Sequence, residues 1–126
     1  MSVTTISERE SCYEAIKLMK RNGFDQLPVV AENTKELKGM VTVSDIMAKI
    51  SAGTVTMEDT VSRALINKFP VLKLEDKIGA LAQALRFNPY AVIIDSSSTS
   101  SNLIVSAIAT HIDILDYLGN IDQIQQ

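Results

Sequence analysis

The chain contains one cysteine and one histidine, and this scarcity excludes several functions. Cys12 has no second thiol for an internal disulfide, and its place in a helical pattern predicts a small, half-buried side chain rather than a reactive thiol. With His111 as the one imidazole, most acid–base and nucleophilic mechanisms lack the side chains they need. Metal-ligand spacings of histidine and cysteine are missing, as are Walker, G-x-G-x-x-G and nucleophile-elbow motifs. The sequence therefore predicts no enzyme, no catalytic residues and no metal site.

Long apolar runs and blocks of like charge are also missing. The longest apolar runs, such as residues 91–94, are far shorter than the roughly 20 residues of a membrane helix, and the N-terminus lacks the pattern of a signal peptide. The formal net charge is only -3, the pI is near 5.1 and the basic residues are scattered. Nucleic acid and anionic lipid therefore do not fit as partners. We expect a cytoplasmic protein without a membrane or nucleic-acid partner.

The chain does contain a unit that occurs twice. Residues 23–30 read Gly-Phe-Asp-Gln-Leu-Pro-Val-Val, and after a second apolar segment residues 42–45 read Thr-Val-Ser-Asp. About 64 residues later, residues 89–94 read Pro-Tyr-Ala-Val-Ile-Ile and are followed by Thr-His-Ile-Asp at 110–113. A duplication of this length predicts two related halves packed as one body, with matching clefts between them. Such an arrangement favours a small-molecule sensor over an enzyme.

Apolar periodicity gives both halves the same order of elements. The first half is expected to contain a helix at 8–21 with Ser7 as its N-cap and a stop at Asn22 and Gly23, a strand at 26–30, a hairpin partner from 37 or 39 to 43, and a helix at 44–50. The second half is expected to contain a short helix at 61–67, an extended segment at 69–74, a helix at 77–87, strands at 91–94 and 103–109, a last helix at 111–118 and a loose tail at 121–126. A mobile, serine-rich hairpin loop at 95–102 accounts for about four extra residues in the second copy.

This order excludes an all-helical bundle, and the missing glycine-rich strand-to-helix turn excludes a doubly wound sheet. The class that remains is α+β, with two small sheets and flanking helices in a pseudo-two-fold arrangement. We assign residues 1–53 to the first motif and 54–126 to a linker and the second motif. A chain of 126 residues that is 46% apolar is long enough for one compact body built from both motifs.

Each copy closes on a threonine at the end of a strand and an aspartate three residues later, in the first turn of a helix. The pairs are Thr42 with Asp45 and Thr110 with Asp113. An ionised aspartate there can accept two hydrogen bonds from a vicinal diol such as that of ribose, close to free backbone amides. The alternative is that the threonines are helix caps and the aspartates favourable charges at a helix start. Recurrence in both copies favours a site for an adenosine-type ligand.

Phe24 is the aromatic residue before the first duplicated strand. Its ring can stack on adenine or face a sulfonium cation, and the alternative is core packing. Tyr90 takes the place of Gln26 in the second copy, so one cleft should be open and the other narrowed. A phosphate-bearing ligand usually requires several cations around the ribose, whereas only His111 stands beside either aspartate. The sequence favours a ligand with little or no negative charge.

The duplicated units resemble the CBS domain, a small β-α-β-type motif that occurs in tandem as the Bateman module, and the resemblance covers essentially the whole chain. Residues 23–30, 37–42, 91–94 and 110–113 together look like the C-terminal regulatory region of the eukaryotic cystathionine β-synthases. In that family the region inhibits a pyridoxal-phosphate catalytic core, and in vertebrate forms it binds S-adenosylmethionine, which relieves the inhibition. The resemblance therefore implies an allosteric module of the transsulfuration pathway whose partners are its own catalytic domain and a second module in a homodimer. Pyridoxal phosphate would belong to the catalytic core and not to this chain.

The resemblance also assigns an adenosyl site. Its residues would be Phe24, Asp25, Gln26 and Leu27 from the first half and Thr110, Ile112 and Asp113 from the second. Thr110 and Asp113 would hold the ribose, backbone groups around Gln26 and Leu27 the methionine or adenine portion, and Phe24 would line the pocket. Leu27 stands where vertebrate-like sequences have alanine, and its bulk would narrow the pocket. A second candidate cleft contains Thr42, Asp45, Tyr90, Ala91 and Val92.

Two other functions fit the same sequence. One is a ligand-independent autoinhibitory or dimerisation module whose interface is formed by apolar helix faces that include Ile46, Ile50, Ile114 and Leu118. The other is a sensor of adenine nucleotides, which has the same fold but for which this sequence supplies few cations.

Overall fold

A computed structural model of the chain describes residues 3–76, 78–113 and 115. These residues fall into two compact units. The first comprises Thr4–Asn67, and the second begins at Lys68 and also includes Val3. The division proposed at residue 53 separates sequence motifs, whereas the packing of the first unit extends to Asn67.

The first unit is built on a three-stranded sheet. Strand β1 (Ile6–Ser7) runs parallel to β2 (Gln26–Val30), which runs antiparallel to β3 (Leu37–Thr42). Strands β2 and β3 confirm the prediction from the apolar runs. The prediction missed β1 because two residues are too few to show a strand periodicity.

Helix α1 (Cys12–Asn22) connects β1 to β2. Its N-cap is Ser11, whose hydroxyl accepts a hydrogen bond from the Glu14 amide at 3.1 Å. The predicted N-cap Ser7 and the predicted start at residue 8 are therefore wrong. Both serines are followed by acidic residues, so the sequence fits either one as the N-cap. Ser7 pairs with Val30 as part of β1, which leaves Ser11 to start the helix.

Backbone hydrogen bonds fix both ends of α1. The Cys12 amide donates to the Asp59 carbonyl at 2.8 Å, which satisfies an amide that a helix start leaves without an intrahelical partner. At the other end Gly23 has a φ of 70°, and the amides of Gly23 and Phe24 donate to carbonyls of the last turn. This is a Schellman ending, and it confirms the predicted stop at Asn22 and Gly23.

Helix α2 (Val43–Ser51) and a single 3-10 turn (Val61–Ala64) complete the first unit. The turn replaces the longer helix predicted at 61–67. Every element contributes to one core, whose buried members are Ile6, Cys12, Ala15, Met19, Leu27, Val29, Val41, Ile46, Val55, Val61 and Ala64. Three of these, Val55, Val61 and Ala64, come from the stretch assigned to the linker and second motif.

The second unit repeats the sheet of the first. Strand β4 (Val71–Lys73) runs parallel to β5 (Tyr90–Ile94), which runs antiparallel to β6 (Val105–Thr110). The register shifts at the last residue pair of β5, as it does in β2. The hairpin connection covers residues 95–104 here and 31–36 in the first unit, so the four extra residues lie in the serine loop, as predicted. The two sheets with their helices confirm the α+β class and the duplication.

The serine loop is tied by its own hydrogen bonds. The Asp95 carboxylate accepts from the Ser97 hydroxyl at 2.7 Å. The Ser98 hydroxyl accepts from the Ile104 amide at 2.9 Å and donates to the Ile104 carbonyl at 3.2 Å. The predicted hairpin loop is confirmed, and local side-chain bonds satisfy a backbone that has no strand partner there.

Helix α3 (Ile78–Ala84) connects β4 to β5 and is shorter than the predicted 77–87. It ends where the Asn88 side-chain amide donates to the Ala84 carbonyl at 2.8 Å. Residues 111–113 and 115 are helical, as predicted for the last helix. Residues 114 and 116–126, with the predicted helix end and tail, lie outside the described residues. In the part of the chain that is described, no helix is long and apolar enough to cross a membrane.

Candidate functional site

The first Thr-x-x-Asp sequence forms a capped helix start. Thr42 is the N-cap of α2, and its hydroxyl accepts from the Asp45 amide at 3.0 Å. This is the capping role that sequence analysis weighed against ligand binding. Capping uses the hydroxyl oxygen as an acceptor and leaves the Asp45 carboxylate for another partner.

That partner is a lysine. Lys49 Nζ lies 2.7 Å from Asp45 Oδ2 and 3.3 Å from the Ala64 carbonyl oxygen. The lysine and aspartate side chains are 29% and 33% exposed, so the ion pair is partly shielded from water. The expectation that His111 is the only cation beside either aspartate is therefore wrong. The signal was present in the sequence, because aspartate and lysine four residues apart lie on one face of a helix.

The second Thr-x-x-Asp sequence is bonded differently. Asp113 Oδ2 accepts from the Thr110 amide at 2.7 Å and from the Thr110 hydroxyl at 3.2 Å, so here the carboxylate is the cap. Asp113 is exposed and forms no ion pair with any cation among the described residues. The position that corresponds to Lys49, four residues further on, is Tyr117 in the sequence. Unlike Asp45, Asp113 is thus not ion-paired with any residue in the described part of the chain.

Each threonine lies beside the start of a strand of its own unit. Gln26 is the register partner of Thr42, and Tyr90 is the register partner of Thr110. These pairings confirm that Gln26 and Tyr90 are equivalent positions. The structure therefore places a strand entry, a hydroxyl and a carboxylate together at one corner of each sheet.

The four site residues carried over from the first half differ in exposure. Phe24 is 37% exposed, Asp25 is exposed and Gln26 is half-buried. Leu27 has no exposed surface, and its side chain is part of the core of the first unit. The Leu27 side chain is therefore closed to a ligand, whereas the Phe24 ring is partly accessible.

The remaining predicted residues divide in the same way. Ile112 is 67% exposed. Tyr90 is only 5% exposed, and its ring centroid lies 6.5 Å from that of Phe69. Ala91 and Val92 have no exposed surface. In the second candidate set, Thr42 and Asp45 are therefore the members with accessible polar side chains.

Cys12 is fully buried, which corrects the expected half-buried position. Burial raises the pKa of its thiol, and the negative charge of Asp59 raises it further. The thiolate is disfavoured at neutral pH, so a nucleophilic role for Cys12 has no support. Among residues 3–76, 78–113 and 115, no three histidine, cysteine or acidic side chains are grouped so as to hold a metal ion.

In the described part of the chain, surface depressions lie within each of the two units. One, of about 300 Å³, is bordered by β4, α3 and β5 and is lined mainly by leucine and isoleucine. The other, of about 310 Å³, lies beside β1 and α1 and has charged walls. Neither is lined by a residue that the sequence predicts to bind ligand.

Comparison with known proteins identifies relatives of the chain. The family model described as the CBS domain matches residues 1–52. The chain is 30% identical over 129 residues to cystathionine beta-synthase of Oryctolagus cuniculus, an alignment that covers 97% of this chain and 23% of that protein. The chain thus spans about a quarter of the length of this relative. The resemblance to the C-terminal region of the cystathionine β-synthases is confirmed.

Solved structures share the fold. A CBS domain protein from Streptococcus pneumoniae TIGR4 matches with a TM-score of 0.77 and 19% identity, over 94% of this chain and 80% of that chain. The structure of CbpB in complex with c-di-AMP matches with a TM-score of 0.76 and 22% identity, over 96% of this chain and 79% of that chain. At such identities the likeness concerns the fold alone.

Proposed function

Because the chain belongs to the CBS-domain family, we propose that it is the regulatory module of a cystathionine β-synthase-like protein and that it binds S-adenosylmethionine. The module itself carries no catalysis. Pyridoxal phosphate and the lyase chemistry of transsulfuration belong to the catalytic domain of a full-length cytoplasmic protein. Ligand occupancy of the module controls that domain, which is its partner.

The observation that carries this proposal is the state of the Asp113 carboxylate. Asp113 Oδ2 is fixed by two hydrogen bonds from Thr110, and no described residue donates to the other carboxylate oxygen. An ionised carboxylate can accept about four hydrogen bonds, so capacity remains for both hydroxyls of a ribose. Thr110 already holds the carboxylate in one orientation. The Asp113 side chain therefore loses less conformational entropy when a ligand binds.

Charge supports a cationic ligand over a phosphate-bearing one. S-adenosylmethionine carries a sulfonium and an ammonium against one carboxylate, so its net charge is positive. Asp25 and Asp113 are both exposed, and neither forms an ion pair with a cation in the described part of the chain. A positive ligand is attracted to such carboxylates, whereas phosphates are repelled.

We assign the contacts as follows. Thr110 and Asp113 hold the ribose, with Ile112 beside them. Phe24 presents a partly accessible ring to adenine or the sulfonium. Asp25 and Gln26 supply polar groups, and Leu27 contributes its backbone. The second set, Thr42 and Asp45 with Tyr90, Ala91 and Val92, is proposed as a poorer site.

Isothermal titration calorimetry with S-adenosylmethionine, AMP and ATP tests the proposal. The Asp113→Asn variant should bind S-adenosylmethionine roughly ten- to a hundredfold more weakly, because hydrogen bonds to a charged acceptor contribute about 1.5–3 kcal/mol. The matched control is Asp45→Asn, the same change at the equivalent position, which should leave the affinity nearly unaltered. Thermal unfolding of both variants shows whether either substitution lowers the stability of the fold and so weakens binding indirectly.

Three outcomes would contradict the assignment. Absence of heat with every adenosyl compound would remove the sensing function. Tighter binding of ATP than of S-adenosylmethionine would replace it with the nucleotide sensor. A loss of binding in Asp45→Asn but not in Asp113→Asn would move the ribose to the first turn.

A dimerisation module remains the second candidate because large apolar side chains are exposed near the proposed site. Ile112 and Leu115 are 67% and 66% exposed. Of the interface residues predicted from sequence, Ile46 is fully buried in the core and is excluded, and Ile50 is half-buried. Ile114 and Leu118 lie outside the described residues. Light scattering that gives a monomer mass at all concentrations would count against this candidate.

A further inference from the structure

We propose that Lys49 keeps the Thr42–Asp45 turn from accepting a sugar diol, so that each chain binds one adenosyl ligand rather than two. Lys49 is thereby a specificity-determining residue that selects between two turns of the same sequence pattern. The inference rests on the proposed function, because it presumes that a free Thr-x-x-Asp carboxylate accepts ribose.

The contact is strong for a surface ion pair. The distance of 2.7 Å from Lys49 Nζ to Asp45 Oδ2 is that of a short charge-assisted hydrogen bond. The ammonium also donates to the Ala64 carbonyl at 3.3 Å. Lys49 thus connects the first turn of α2 with the end of the 3-10 turn.

Lys49 is also anchored through its backbone. Its carbonyl accepts from the amides of Thr54 and Val55 at 2.9 and 3.4 Å, where the chain leaves α2. Val55 and Ala64 are both buried in the core of the first unit. The two ends of the lysine are therefore held by parts of the chain that are themselves packed, and the ammonium stays close to Asp45.

In both turns one carboxylate oxygen has no partner among the described residues, so the difference between them lies in the charge of the donor on Oδ2: an ammonium at Asp45, and the Thr110 amide and hydroxyl at Asp113. A diol at Asp45 would have to fit beside Lys49 and would meet a carboxylate whose charge is already paired. Two neutral hydroxyls offer the carboxylate weaker hydrogen bonds than a charged donor does. At the position equivalent to Lys49 the second unit has Tyr117 in its sequence, and no lysine or arginine among the described residues pairs with Asp113. The same Thr-x-x-Asp pattern thus carries an ion-paired carboxylate in one unit and, among the described residues, a carboxylate without an ion pair in the other.

The Lys49→Met variant tests the inference, because methionine retains most of the unbranched stem and removes the charge. Calorimetry with S-adenosylmethionine should give one binding event per chain for the natural protein and two for Lys49→Met. Adding Asp45→Asn to Lys49→Met should return the count to one. The matched control is Lys17→Met, which removes another lysine from an exposed i,i+3 pair with Glu14 and should leave the count at one.

The outcomes separate this inference from the proposed function. If Lys49→Met binds as the natural protein does, with one ligand, the inference is wrong while the Asp113 site stands. If the natural protein already binds two ligands, Lys49 blocks nothing and the inference is also wrong. If the natural protein binds none but Lys49→Met binds one through Asp45, Lys49 does block the first turn, while the Asp113 site and the count of one ligand per chain are wrong. If no variant binds, both are wrong.

Discussion

At the scale of single residues, identical side chains have different roles because their neighbours differ. Asp45 and Asp113 occupy the same place in the duplicated sequence, yet one carboxylate is paired with a lysine and the other caps its own helix. Leu27 shows the same dependence. It stands in a segment that resembles a ligand site, but its side chain is fully enclosed in the core. Residue type alone does not assign such roles.

The Leu27→Ala variant should therefore lose stability and gain nothing in ligand binding. Truncating a fully buried leucine removes apolar contacts and leaves a cavity, which costs about 2–5 kcal/mol. Urea unfolding measures this loss. Leu74→Ala is the matched control, because Leu74 is 57% exposed and its truncation should cost less than about 0.5 kcal/mol. An unchanged unfolding free energy with tighter S-adenosylmethionine binding would show instead that the Leu27 side chain reaches the ligand.

At the scale of elements, helix ends are set by specific hydrogen bonds. Apolar spacing correctly placed α1 but not its start, since two serines four residues apart both fit an N-cap. The C-terminal end was predictable because Asn-Gly is a strong stop signal, and Gly23 does adopt a φ of 70°. Apolar periodicity thus gives the element, and the caps give its bounds.

Two glycine substitutions should have opposite effects. Gly23→Ala should destabilise the protein by about 1 kcal/mol, because a Cβ disfavours a positive φ. No atom lies within 4 Å of that Cβ position, so the effect isolates backbone conformation. Gly79→Ala, in the first turn of α3 and equally free of contacts, should stabilise by about 0.4–1 kcal/mol, because alanine fits the helical backbone and restricts the unfolded chain more than glycine does. Thermal unfolding should give a lower Tm for Gly23→Ala and a higher Tm for Gly79→Ala. Changes in Tm of the same sign would contradict the assignment of the two backbone conformations.

At the scale of the whole molecule, the chain consists of two units whose boundary differs from that of the sequence motifs. Residues 54–67 pack as part of the first unit. The amide and carbonyl groups of Met40 and Ile66 bond to each other at 3.0 and 2.7 Å. A Cβ at Gly39 would lie 3.1 Å from the Ile66 carbonyl, so the glycine permits this close approach. Strand β3 is thereby covered by a stretch that the sequence analysis assigned to the linker and second motif.

A fragment of residues 1–67 should therefore fold, and a fragment of residues 1–53 should not. The shorter fragment lacks Val55, Val61 and Ala64, which are core members of the first unit. Domains of about 60 residues are only marginally stable, so losing three core side chains should be decisive. Circular dichroism and the dispersion of amide NMR signals distinguish the two. A well-dispersed spectrum of the 1–53 fragment would show that the motif boundary is also the folding boundary.

The sequence by itself determined the class of the fold, the duplication, strands β2 and β5, and the positions of both Thr-x-x-Asp turns. These features depend on apolar periodicity and on glycine and proline signals, which act between residues close in the chain. Only the tertiary structure decided that residues 54–67 belong to the first core, that Leu27 is enclosed, and that the Lys49 ammonium also reaches the Ala64 carbonyl. Those outcomes depend on contacts between residues far apart in the chain, and a local pattern does not specify which distant group will satisfy a buried side chain or an exposed charge.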